Sequence, residues 1–143
     1  MNAQSSSPFP LPAMNSKVTL TITSLLSVLL FAFHWADEIS RGMEVGTLSA
    51  FGGIVILVVW LSGTLVLGER RSGYIISLIG GILGLGVLVL HMMGKGMVGG
   101  RIPPNSPGAF FWIWTLIALG STSTISGILA TRGLWSLRRG QSR

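Results

Sequence analysis

The sequence predicts an all-α integral membrane protein: four transmembrane helices in an up-down-up-down bundle, with both termini on the cytoplasmic side. Three observations carry that prediction. Of the 143 residues 49% are hydrophobic and only 10% charged, with a mean hydropathy of +0.68. A soluble domain carries about 25% charged residues, so this chain cannot cover a water-facing surface. The charges are also gathered at segment ends, leaving long stretches free of Asp, Glu, Lys and Arg. These run from Val18 up to Asp37, Val45 to Gly68, Ser72 to Gly94 and Ile102 to Thr131. Each supplies the ~20 apolar residues that a hydrocarbon core near 30 Å requires.

The third observation is the placement of basic residues. With the N-terminus inside, the cytoplasmic segments hold Lys17, Arg70, Arg71, Arg132, Arg138, Arg139 and Arg143. The outer ones hold Arg41, Lys95 and Arg101. Seven against three favours both termini inside by the positive-inside rule.

Residues 1–16 are Ser/Pro-rich without apolar period and read as a flexible cytoplasmic tail. The four-helix domain covers 17–135, with helices at about 18–40, 46–68, 72–96 and 107–132. Residues 133–143 form a basic cytoplasmic tail. The first apolar run reads as an uncleaved helix, because Phe33, His34 and Trp35 stand where a signal peptide needs small residues. Residues 68–73 make a tight inner turn. Ser106-Pro107 has the look of a cap and first-turn proline for the fourth helix. Trp35, Trp112 and Trp114 are placed at the outer interface, with Tyr74 and Trp135 at the inner one, as an aromatic belt.

The third helix is rich in small residues. Ser77 with Gly81, and Gly80 with Gly84, form small-xxx-small faces that admit a neighbouring backbone. The hydroxyls of 120–127 and of Thr19, Thr21, Thr23 and Ser24 read as hydrogen-bonding glue between helices.

One group exceeds what anchoring needs. His34, Asp37, Glu38 and Arg41 are spaced i, i+3, i+4, i+7 and share a helix face. His34 lies ~24 Å along its helix from Val18, and His91 ~26 Å from Tyr74. The two histidines thus reach the same height near the outer interface. The plain reading is an interfacial hydrogen-bond network. A metal site would use His34, Asp37, Glu38 and His91, two imidazoles and a carboxylate being suited to zinc, iron or manganese. Arg41 and Lys95 are the supporting charges. Met43, Met92, Met93 and Met97 beside His91 offer a softer set for Cu(I). Alternatively, His34 and His91 are the axial pair of a haem b.

The absence of cysteine removes thiolate sites, disulfides and thiol catalysis. The basic residues flank apolar runs and form no soluble nucleic-acid face. There is no nucleophile elbow, phosphate loop or dinucleotide fingerprint, so the reading leans away from an enzyme. HWADEISRGMEVG and GERRSGYIISLIGG resemble stretches of small bacterial membrane proteins, which implies a bacterial inner (plasma) membrane. The expected function is that of a subunit or accessory of a larger membrane complex, with other membrane subunits, or copies of itself, and the lipid bilayer as partners. The alternative is a small metal- or haem-binding redox protein.

Overall fold

The computed structural model describes residues 15–43, 47–68, 70–93, 102–103 and 105–141, and among them there are helices and turns only. Four helices follow in order: α1 (Ser16–Ser40), α2 (Thr47–Leu65), α3 (Arg71–Met92) and α4 (Ala109–Gln141). Three of them, α1, α3 and α4, are long and apolar enough to cross a membrane, and the apolar stretch Phe51–Leu65 of α2 is shorter. Large apolar side chains face outward from all four, among them Phe33, Val58, Ile82 and Trp114. A water-soluble monomer rarely shows so continuous an apolar exterior.

The ends of α1 are set by local chemistry. At the start, the Asn15 side chain accepts a hydrogen bond from the Lys17 N–H at 3.1 Å, which satisfies one of the free donors of the first turn. At the finish, Gly42 takes φ 68°. Its N–H donates to Ile39 O at 3.0 Å, and that of Met43 donates to Glu38 O at 3.0 Å. This is a Schellman closure, which only a residue at ease with positive φ completes. It ends α1 one turn beyond Glu38 and turns Met43 inward against Trp112 and Ile102.

Successive helices run antiparallel. The start of α1 meets the end of α2 and the start of α3, while the end of α1 meets the start of α2 and the end of α3. Two apolar clusters close the bundle at its two ends. Leu20, Tyr74 and Ala130 form one, and Ile102, Trp112 and Leu116 the other. Between them the helices are joined by hydroxyls. Thr64 donates to Trp60 O at 2.9 Å; Ser24 therefore donates to Thr64 Oγ1 at 2.7 Å and accepts from Trp60 Nε1 at 3.0 Å. Ser27 reaches Thr122 of α4 at 2.9 Å.

The small residues of α3 serve two neighbours. A Cβ on Gly80 would run into the Trp60 ring of α2. On Gly81 it would lie 2.8 Å from Ser123 O and 3.1 Å from Gly127 Cα of α4. On Gly84 it would likewise meet Ser123 and Leu119 of α4, so the small residues expected from the sequence do make close contacts, but Gly80 and Gly84 serve different neighbours rather than one shared face.

Three expectations are corrected. Ser106-Pro107 does not open α4: Gly108, at φ 72°, accepts the first helical bond from Trp112 N at 3.1 Å. The segment expected as a basic tail continues as helix to Gln141, and Arg139 lies over the Trp135 ring at 4.2 Å. Trp112 and Tyr74 are not lipid-facing anchors, being 0% and 7% exposed. Of the other expected boundaries, residues 1–14, 94–96 and 142–143 lie outside the described ones.

Overpacking at a helix contact costs about 1–3 kcal/mol. Gly81→Leu should therefore lower the melting temperature in detergent clearly. Gly86→Leu, whose added Cβ meets nothing within 4 Å, should leave it unchanged. Equal effects would mean that α3 and α4 do not meet at Gly81.

Candidate metal centre

His34 and Glu38 lie one turn apart on α1, so their side chains leave the helix on one face. His91 comes from the last turn of α3. The Nε2 of His91 stands 2.5 Å from Glu38 Oε1, and that of His34 stands 3.7 Å from the same oxygen. The two imidazole rings meet edge to face, with centroids 5.2 Å apart. The Trp112 ring covers both, at 5.0 Å from His34 and 5.5 Å from His91. Among the described residues these three form the one group able to hold a metal ion, with ligand atoms within 4.8 Å of one another.

The hydrogen bonds on the far side of each ring decide what the near side offers. His91 Nδ1 lies 2.7 Å from Val87 O. A carbonyl can only accept, so Nδ1 carries a proton; Nε2 is hydrogen-bonded to Glu38 Oε1, a contact that holds one further proton, which a metal cation would displace. His34 Nδ1 lies 3.3 Å from Thr115 Oγ1. That hydroxyl spends its proton on Trp112 O at 3.0 Å, so His34 Nδ1–H donates to it and Nε2 is left bare. His34 is 1% exposed, and its Nε2 has no hydrogen-bond partner. Two imidazole nitrogens and a carboxylate oxygen therefore converge in a half-buried place, with one hydrogen bond among them, between His91 and Glu38. Such a trio is stable only with positive charge among its members, supplied by protons or by a metal cation.

A tetrahedral ion with bonds near 2.1 Å holds its ligand atoms about 3.4 Å apart. The three atoms bracket that spacing, at 2.5 and 3.7 Å from the shared oxygen and all within 4.8 Å of one another. The bonds from Nδ1 to Val87 O and Thr115 are the outer contacts that fix imidazole orientation in metal sites. On the open side lies a cavity of about 410 Å³, walled by Phe31, Trp35 and Ile56, so an ion here would keep a position for an outside ligand.

Other expected members are placed elsewhere. Asp37 is about 100° around α1 from Glu38 and is held by Arg41, Nε to Oδ2 at 2.7 Å. Arg41 also donates to Pro107 O at 3.0 Å, so the pair straps the end of α1 to the turn before α4. Asp37 thus lies outside the group of three. Met92 and Met93 are half or more exposed, and Met43 packs with the Ile102 cluster, so among the described residues no thioether set gathers at His91. Lys95 and Met97 lie outside the described residues. Haem does not fit between the histidines. An axial pair needs a macrocycle between its nitrogens, whereas these rings touch at 82° under Trp112.

Sequence reasoning missed Thr115 and misplaced Trp112. A threonine in an apolar run carries no signal of its own, although Trp112 and Thr115 at i, i+3 mark the inward face of α4. No protein-family model, curated protein or solved structure matches this chain, so the functional reading stands on its residues alone.

Groups in one network couple by about 0.5–3 kcal/mol. The double variant His34→Ala/His91→Ala should therefore melt little below the worse single variant in detergent. Additive losses would show that the two rings act independently.

Proposed function

We propose that this chain is a small four-span membrane protein that binds a divalent transition-metal ion through His34, Glu38 and His91 at the outer end of its bundle. The observation that carries the reading is the convergence of two imidazole Nε2 atoms on one carboxylate oxygen, that of His34 buried without a hydrogen-bond partner and that of His91 bonded to Glu38, while each Nδ1 is held by an acceptor behind the ring. Two imidazoles and one carboxylate suit zinc, iron(II), cobalt or manganese, and three protein ligands with an open position are the pattern of sites that bind a further small ligand. The apolar exteriors of α1, α3 and α4 support the membrane placement.

The orientation belongs to the same proposal. Seven basic residues flank the end bearing both termini and three the other, which favours a cytoplasmic site for the termini and an outer site for the histidines. The inner membrane of a bacterium is the proposed location. The outward faces of α2 and α3, including Val55, Val58, Ile79 and Ile82, are apolar as lipid requires. Nothing on them singles out another subunit, so the proposal rests on the metal centre rather than on a complex.

Purified protein, stripped with a chelator and titrated with Co²⁺ or Zn²⁺, should bind one equivalent. Glu38→Gln, His34→Ala and His91→Ala should each weaken binding by more than the ~100-fold that loss of an outer contact can cost, and Thr115→Val by roughly 10–100-fold. Asp37→Asn should bind as the parent does. No saturable binding, or equal losses for Asp37→Asn and Glu38→Gln, would overturn the reading. For orientation, a cysteine at Asn105 should react with an impermeant maleimide in intact cells, and one at Ser142 should not. The reverse would place the metal centre inside.

A further inference from the structure

The opposite end of the bundle carries a second polar site, independent of the histidines. The start of α1, the end of α2 and the start of α3 enclose a cavity of about 550 Å³ whose polar wall includes Asn15, Lys17, Arg70, Tyr74 and Ser77. On the other side of α1 a cavity of about 360 Å³ is lined by Lys17, Tyr74, Arg132 and Ser136. Lys17 and Tyr74 belong to both, so three basic residues surround one tyrosine.

The hydroxyls of two largely buried residues are the informative feature. Tyr74 is 7% exposed and Ser77 3%, and both line the larger cavity. Every other hydroxyl-bearing residue lining that cavity, Thr21 and Thr64, is bonded to a backbone carbonyl. The Tyr74 phenol and the Ser77 hydroxyl make no such bond among the described residues, and neither oxygen is sealed from the cavity. Two hydroxyls that reach a cavity beside a cationic rim, with no protein acceptor of their own, suit an acceptor brought from outside. A phosphate oxygen accepts from hydroxyls and pairs with Lys and Arg. The start of α1 adds the positive end of a 25-residue helix.

The remaining wall settles which phosphate. Val18, Ile22, Leu65 and Val66 line the same cavity, and all four are exposed at their outer sides. The cavity is therefore polar at its depth and rim and apolar where it opens along the bundle. A free phosphate has no use for such a wall, whereas the acyl chains of a lipid do. Basic pockets between transmembrane helices on the cytoplasmic side are suited to anionic headgroups. We infer that this end of the bundle binds the headgroup of an anionic phospholipid, with Lys17 and Arg70 pairing its phosphate and the Tyr74 and Ser77 hydroxyls donating to its oxygens.

The test uses the full chain in a mild detergent and counts retained lipid by native mass spectrometry. Phosphatidylglycerol and phosphatidylcholine of identical chains are compared, with glycerol phosphate as the headgroup alone. Phosphatidylglycerol should be retained preferentially. Each cation removed, in Lys17→Gln and Arg70→Gln, should reduce that preference roughly fivefold. Tyr74→Phe and Ser77→Ala, which keep shape and fold, should reduce it further without lowering the lipid-free melting temperature. Equal retention of both lipids, unchanged preference in Tyr74→Phe and Ser77→Ala, or glycerol phosphate competing as strongly as the intact lipid would each overturn the inference.

Discussion

Glu38 is held against two imidazoles at one end of a bundle whose outside is apolar, and a carboxylate in that position needs a positive partner within bonding distance. The surroundings supply the geometry for one. Gly42 ends α1 a turn past Glu38, so the carboxylate stays on the helix face that His34 shares. Val87 O and Thr115 Oγ1 hold the two Nδ1 protons and aim the Nε2 atoms inward. Trp112, wholly buried, packs across both rings and keeps lipid and water from that side. Arg41 takes Asp37 out of the group and ties α1 to the turn before α4. Each of these contacts has a simple local cause, and together they make one polar site with a defined mouth.

The middle of the bundle works by different means. In a bilayer, where lipid is as apolar as leucine, burying leucine would give these helices little reason to associate. Close approach at Gly80 and Gly81, and hydroxyl pairs such as Ser24 with Thr64 and Ser27 with Thr122, take the place of a hydrophobic drive. Trp60 combines both devices: its ring fills the space over Gly80 while its N–H is spent on Ser24. The hydroxyls read from the sequence as interhelical glue do that work where they face a neighbour. Others, such as Thr21 and Thr131, return to their own helix carbonyls four residues back.

Much of this was legible in the residues, and the boundaries of legibility are physical. Four apolar segments and the equal heights of His34 and His91 follow from counting, because a helix rises by a fixed amount per residue. Counting cannot choose between Asp37 and Glu38, since adjacent residues point about 100° apart and the rotation of α1 about its axis is set by packing. Trp112 looked like an interfacial anchor because an aromatic near a membrane edge suits lipid or protein equally. Apolar character is lost near Thr131, where the sequence places the end of the fourth span. The helix itself continues to Gln141, because hydrogen bonding ends a helix while polarity ends only a membrane span.

X-ray absorption of the zinc-loaded protein tests the central claim most directly, because it reads the ligand atoms and their distances. The account predicts two imidazole nitrogens at about 2.0–2.1 Å and one carboxylate oxygen at about 2.0–2.2 Å, with one imidazole lost in His34→Ala and one in His91→Ala. A shell of oxygen alone, or a spectrum indifferent to both substitutions, would contradict it.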